Sequence, residues 1–121
     1  MSKKKDSLPF DKRGGVIVLS RHLLNSAAYA SLTPVQKVLM QLLHEQWRPD
    51  RDVAYSVREA AQKISCSVNT ACLAFQCLMN KGFIVCTGLS EFNSQLGSKA
   101  REWRLTWMPF NSKPPTNDWE K

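Results

Sequence analysis

The 121-residue chain has only two histidines, five glycines, no Cys-x-x-Cys pair, and no apolar run near the roughly 18 residues that cross a bilayer. Each shortage excludes something. The missing run excludes an integral membrane protein with a spanning helix. The basic start, Lys3, Lys4 and Lys5, is followed by Pro9, Asp11, Lys12 and Arg13 where a secretory signal would have its apolar core. The expected location is therefore the cytoplasm, with no membrane partner. The four cysteines, Cys66, Cys72, Cys77 and Cys86, are separated by five, four and eight residues. On one helix, Cys72 and Cys77 would point about 140° apart, and His22 and His44 lie far upstream, so no metal site is expected. In a reducing cytosol the thiols serve as small apolar side chains. The sparse glycines form no phosphate-cradling loop, and neither paired carboxylates nor a nucleophile beside a base is visible. The sequence thus predicts no catalytic residue, no cofactor and no enzyme.

Positive charge is abundant. Hydrophobic residues make up 43 % and charged residues 22 % of the chain, which suits one globular domain rather than a disordered segment. Lys and Arg number 17 against 10 Asp and Glu, a net charge of +7 that favours an acidic partner such as nucleic acid. The surplus is +3 over residues 1–13, which carry Lys3, Lys4, Lys5, Lys12 and Arg13; it is +4 over 14–110 and zero over 111–121. We therefore divide the chain into a basic flexible arm (1–13), a folded domain (14–110) and a tail (111–121) marked by Pro114-Pro115.

Along the domain, Val16-Ile17-Val18-Leu19 reads as a strand or extended arm, and Ser20 to Ala30 as one or two helical turns. Thr33-Pro34-Val35-Gln36 is a capping box with proline at the first helical position. In the helix it opens, about 33–47, Val35, Val38, Leu39, Leu42, Leu43 and Trp47 recur at helical spacing, with His44 on its surface. Val53-Ala54-Tyr55 is a strand candidate. Ser56-Val57-Arg58-Glu59 reads as a second capping box, starting a helix that ends at Ile64. After the break Ser65-Cys66-Ser67, Ser67 caps a helix that runs to about Lys81 and stops at Gly82. Ala71, Ala74, Phe75 and Leu78 form its inward face. Phe83 to Thr87 and Arg101 to Met108 read as two paired strands joined by a polar loop, with Trp103, Leu105 and Trp107 facing the core.

Two short helices around a three-residue break, followed by a hairpin, make a winged helix-turn-helix. The expected fold is thus α+β, with three main helices, a C-terminal β-hairpin wing and an extra N-terminal segment. Three stretches resemble winged-helix DNA-binding proteins of the broad MarR/GntR-like type. These are Ser56-Val57-Arg58-Glu59-Ala60-Ala61, Ser67-x-Asn69-Thr70-Ala71 and Lys81-Gly82-Phe83-Ile84. Arg101-Glu102-Trp103-Arg104-Leu105-Thr106-Trp107, with Pro114-x-Thr116-Asn117-Asp118-Trp119, resembles a narrower group of small helix-turn-helix proteins from bacterial mobile elements and prophages.

The resemblance implies a regulator of transcription or replication that binds double-stranded DNA, with a homodimer as its expected assembly. Its third helix would carry the DNA-facing residues Ser67, Val68, Asn69, Thr70, Leu73 and Gln76. Asn69 and Gln76 suit adenine, and Ser67 and Thr70 suit phosphate. Arg58 and Lys63 on the second helix, Lys99, Arg101 and Arg104 around the wing, and the basic arm would follow the phosphate backbone. Two features depart from that pattern. Leu73 stands where the family commonly has Arg, on a stretch from Ser67 to Asn80 with no charged side chain. Ser65-Cys66 stands where Gly is common, so that a left-handed residue there would cost roughly 1–2 kcal/mol. A face of Val68, Cys72, Leu73, Cys77 and Met79 would suit protein contact. The alternative expectation is accordingly a module that docks this helix on a host or phage protein, for example to inhibit a defence complex.

Overall fold

A computed structural model describes residues 14–89 and 100–120. It is α+β. Five helices, α1 (Arg21–Leu24), α2 (Ala27–Ala30), α3 (Pro34–Glu45), α4 (Val57–Ile64) and α5 (Val68–Asn80), accompany three strands, β1 (Val53–Ser56), β2 (Ile84–Leu89) and β3 (Ala100–Leu105). The sheet is antiparallel with β3 in the centre, in the order β1-β3-β2. Residues 90–99, with Lys99 of the expected wing, and the arm residues Lys3, Lys4, Lys5, Lys12 and Arg13 lie outside the described residues.

The helix starts follow from their caps. Thr33 accepts from the Gln36 amide and Gln36 Oε1 accepts from the Thr33 amide, so the capping box over α3 is complete. Ser56 accepts from the Glu59 amide at 3.0 Å, but a reciprocal Glu59 bond is not formed; α4 has half of the expected box. Between α4 and α5, Ser65 takes the left-handed conformation (φ 68°, ψ 48°). The amides of Ser65 and Cys66 both donate to Ala61 O, at 2.9 and 3.0 Å, which satisfies an otherwise orphaned carbonyl at the helix end. The chain thereby reverses within three residues, and α5 packs on α4 and α3.

The core is a single cluster. Ala71, Ala74, Phe75 and Leu78 of α5 are buried, as its periodicity predicts. Phe75 stacks on Trp103 of the central strand, with centroids 5.0 Å apart, and Trp103 Nε1–H donates to Tyr55 O on β1. Val53, Cys86 and Trp103 share one rung of the sheet.

Several details differ from the sequence reading. Residues 16–19 belong to no strand, and Val18 is 76 % exposed. α3 ends at Glu45, so Trp47 lies beyond it, half-buried, and donates its indole N–H to Pro109 O. His44 is not a surface residue. It is 5 % exposed, and its Nδ1 accepts from Trp107 Nε1–H at 3.2 Å. β2 reaches Leu89, β3 begins at Ala100, and a bulge lies between Cys86 and Gly88. β3 stops at Leu105, so the alternation fails after it. Thr106, expected outside, is 2 % exposed, with its hydroxyl 2.7 Å from Gly82 O. Cys77 and Met79, expected outside, pack partly buried against the core.

The tail packs. Asn117 donates its amide to Thr106 O, and Trp119 stacks on Phe83 with centroids 5.8 Å apart and planes 9° from parallel. Gly82 (φ +86°) makes this approach possible, because a Cβ there would sit 2.8 Å from Asp118 O. On the tail's outer side, His22 Nε2 lies 2.7 Å from Glu120 Oε2.

Candidate functional site

The open side of α5 is set by its closed side. With Ala71, Ala74, Phe75 and Leu78 in the core, the positions about half a turn away must face solvent. Ser67, Val68, Asn69, Thr70, Leu73 and Gln76 are all exposed, Val68 by 52 % and Leu73 by 55 %. Ser67 and Thr70 are already engaged with one another. The Ser67 hydroxyl accepts the Thr70 amide at 3.0 Å and donates to Thr70 Oγ1 at 2.9 Å. Ser67 therefore works first as the cap of α5.

The sequence reading omitted Asn80. It is exposed and continues the row Asn69, Leu73, Gln76 at helical spacing. Advances of four, three and four residues keep these four side chains within about 60° of one another. That spacing is present in the sequence, where the helix end at Lys81 and Gly82 draws Asn80 into the stop signal.

The flanking cations divide into two groups. Arg58 and Lys63 on α4, and Arg101 on β3, are exposed. Arg58 lines an open groove with Ser56, Glu59, Gln62 and Val68, so it stands beside the first turn of α5. The register pairs Arg101 with Tyr55 and Ala100 with Ser56, which brings the start of β3 to the cap of α4. Arg104 is placed differently. Its Nε lies 3.3 Å from Asp52 Oδ1, and its guanidinium packs 4.0 Å from the Phe110 ring centroid. That cation is partnered within the fold and is not presented beside α5, Arg58 and Arg101.

Among the described residues, no three His, Cys, Asp or Glu side chains converge in a way that would hold a metal ion. The cysteines are free thiols, each half-buried. No described helix is long and apolar enough to cross a membrane. Another open groove lies between residues 14–18 and the end of α3, where His44, Glu45, Trp47, Arg48 and Met108 line it. The chain matches no protein-family model, no curated protein and no solved structure.

Proposed function

We propose that this chain is a winged helix-turn-helix DNA-binding protein. In this reading α3, α4 and α5 are the three main helices, the β2–β3 hairpin is the wing, and α5 enters the major groove. The observation that carries it is the pairing on α5 of a fully buried apolar face with an open row of amide side chains beside exposed Arg58. Arg58, Lys63, Arg101 and the basic arm supply the backbone contacts, and a homodimer is the proposed assembly. The setting, control of transcription or replication in a phage or mobile element, follows the sequence resemblance. Titration of mixed-sequence duplexes at several salt concentrations tests the reading. Binding should weaken steeply as salt rises; no binding at low salt, or binding indifferent to salt, refutes it.

A second reading is favoured by a specific observation. Leu73 and Val68 are each more than half exposed on a helix without a charged side chain. Docking of α5 on a host or phage protein would use those side chains. Leu73→Asp separates the two readings. Under protein docking it abolishes association with the partner, whereas under DNA binding through cations elsewhere the salt-dependent, non-specific component persists.

A further inference from the structure

The open row on α5 has a chemical bias as well as an exposure. Asn69, Gln76 and Asn80 are carboxamides and Leu73 is aliphatic; Arg, Lys, Asp and Glu do not occur between Ser67 and Asn80. A carboxamide offers a donor and an acceptor side by side. That pair matches the N6–H donor and N7 acceptor of adenine in the major groove, and an aliphatic tip packs on the thymine C5 methyl. Guanine is instead taken by Arg or Lys, and cytosine by Asp or Glu, none of which α5 has.

Granting the DNA-binding reading on which this rests, we infer that α5 selects an A·T-rich duplex site. Asn69 and Gln76 read adenines, and Leu73 contacts a thymine methyl. The side chains are free to do so. Within the described residues, the one hydrogen bond of these three side-chain carboxamides is Gln76 Nε2 to Cys72 Sγ at 4.0 Å, too long to hold the amide against a base edge. Exposed Arg58 shares a groove with Glu59 and Val68 at the start of α5, and its guanidinium is the group there that a flanking phosphate would approach.

The test uses the full chain and a pool of duplexes with a randomised centre, selected for binding at low salt and sequenced. The bound pool should be enriched in A·T pairs. Replacing adenine by 7-deazaadenine, or thymine by uracil, in a selected duplex should weaken binding about tenfold or more. Asn69→Ala and Gln76→Ala should each relax selection at one position while salt-dependent binding persists. A pool rich in G·C, a pool without bias, or A·T enrichment indifferent to both base analogues would overturn the inference and leave DNA binding standing. Failure to retain any duplex at low salt would overturn both together.

Discussion

His44 shows how one side chain carries a condition for folding. Burial holds its pKa below the ordinary value of 6.5, because the charged imidazolium loses its water. The bond from Trp107 Nε1–H also needs Nδ1 unprotonated. Above about pH 6.5 both native and unfolded chains hold this histidine neutral, and it adds no pH dependence. As pH falls below that value, the unfolded chain takes up a proton that the native site refuses. Stability should therefore decline with falling pH, and level off once pH passes the lower native pKa. Denaturant titrations from pH 7.5 downward measure this, and His44→Gln, which keeps an acceptor without titrating, should reduce the decline. Ser65 carries a second local condition. Its left-handed backbone costs a non-glycine residue roughly 1–2 kcal/mol, so Ser65→Gly should raise the denaturation midpoint by about 1 kcal/mol of stability. The sequence exposed one of these and hid the other. A residue in a three-residue turn between two capped helices has few conformations open to it. The environment of His44 depends on an indole 63 positions away, which helical spacing cannot reveal.

Among the elements, α5 was the most legible and the C-terminal segment the least. The buried set on α5 followed from a 3.6-residue period anchored by Ser67, because both faces of one helix are fixed once its cap is known. The short strands gave no such lever. Thr106 looked external by alternation with Trp103 and Leu105, but β3 had already ended, and its hydroxyl turned inward to Gly82 O. Trp119 lies beyond Pro114-Pro115, where local pattern predicts no regular packing, yet it is 7 % exposed and covers Phe83. Removing that ring should be expensive. Trp119→Ala is expected to cost about 3–5 kcal/mol, the range for losing a buried aromatic, read as a lower midpoint in chemical denaturation. A midpoint within error of the parent chain would show that the tail is only laid on the surface.

For the whole molecule, the distribution of charge matters more than its sum. The net +7 includes cations that the fold has already claimed, such as Arg104 on Asp52 and Phe110, and others that stand open, such as Arg58 and Lys63. Under the proposed DNA-binding reading, the open cations are the ones best placed to displace counterions. Arg58→Ala and Lys63→Ala should each reduce the slope of log affinity against log salt by about one, and weaken all duplexes alike. Composition announced the charge, but deciding which cations were free needed Asp52 and Arg104 side by side across 52 positions. The stacking of Trp119 on Phe83 also matters while the chain is being made. A nascent chain that has emerged through Leu105 already contains α1 to α5 and β1 to β3, yet it lacks Trp107 and Trp119, which pack on Phe83. Its core closes only when residue 119 leaves the ribosome, so premature termination in the preceding dozen codons releases a product with an open aromatic seam, which proteases and chaperones would recognise before it reached any partner.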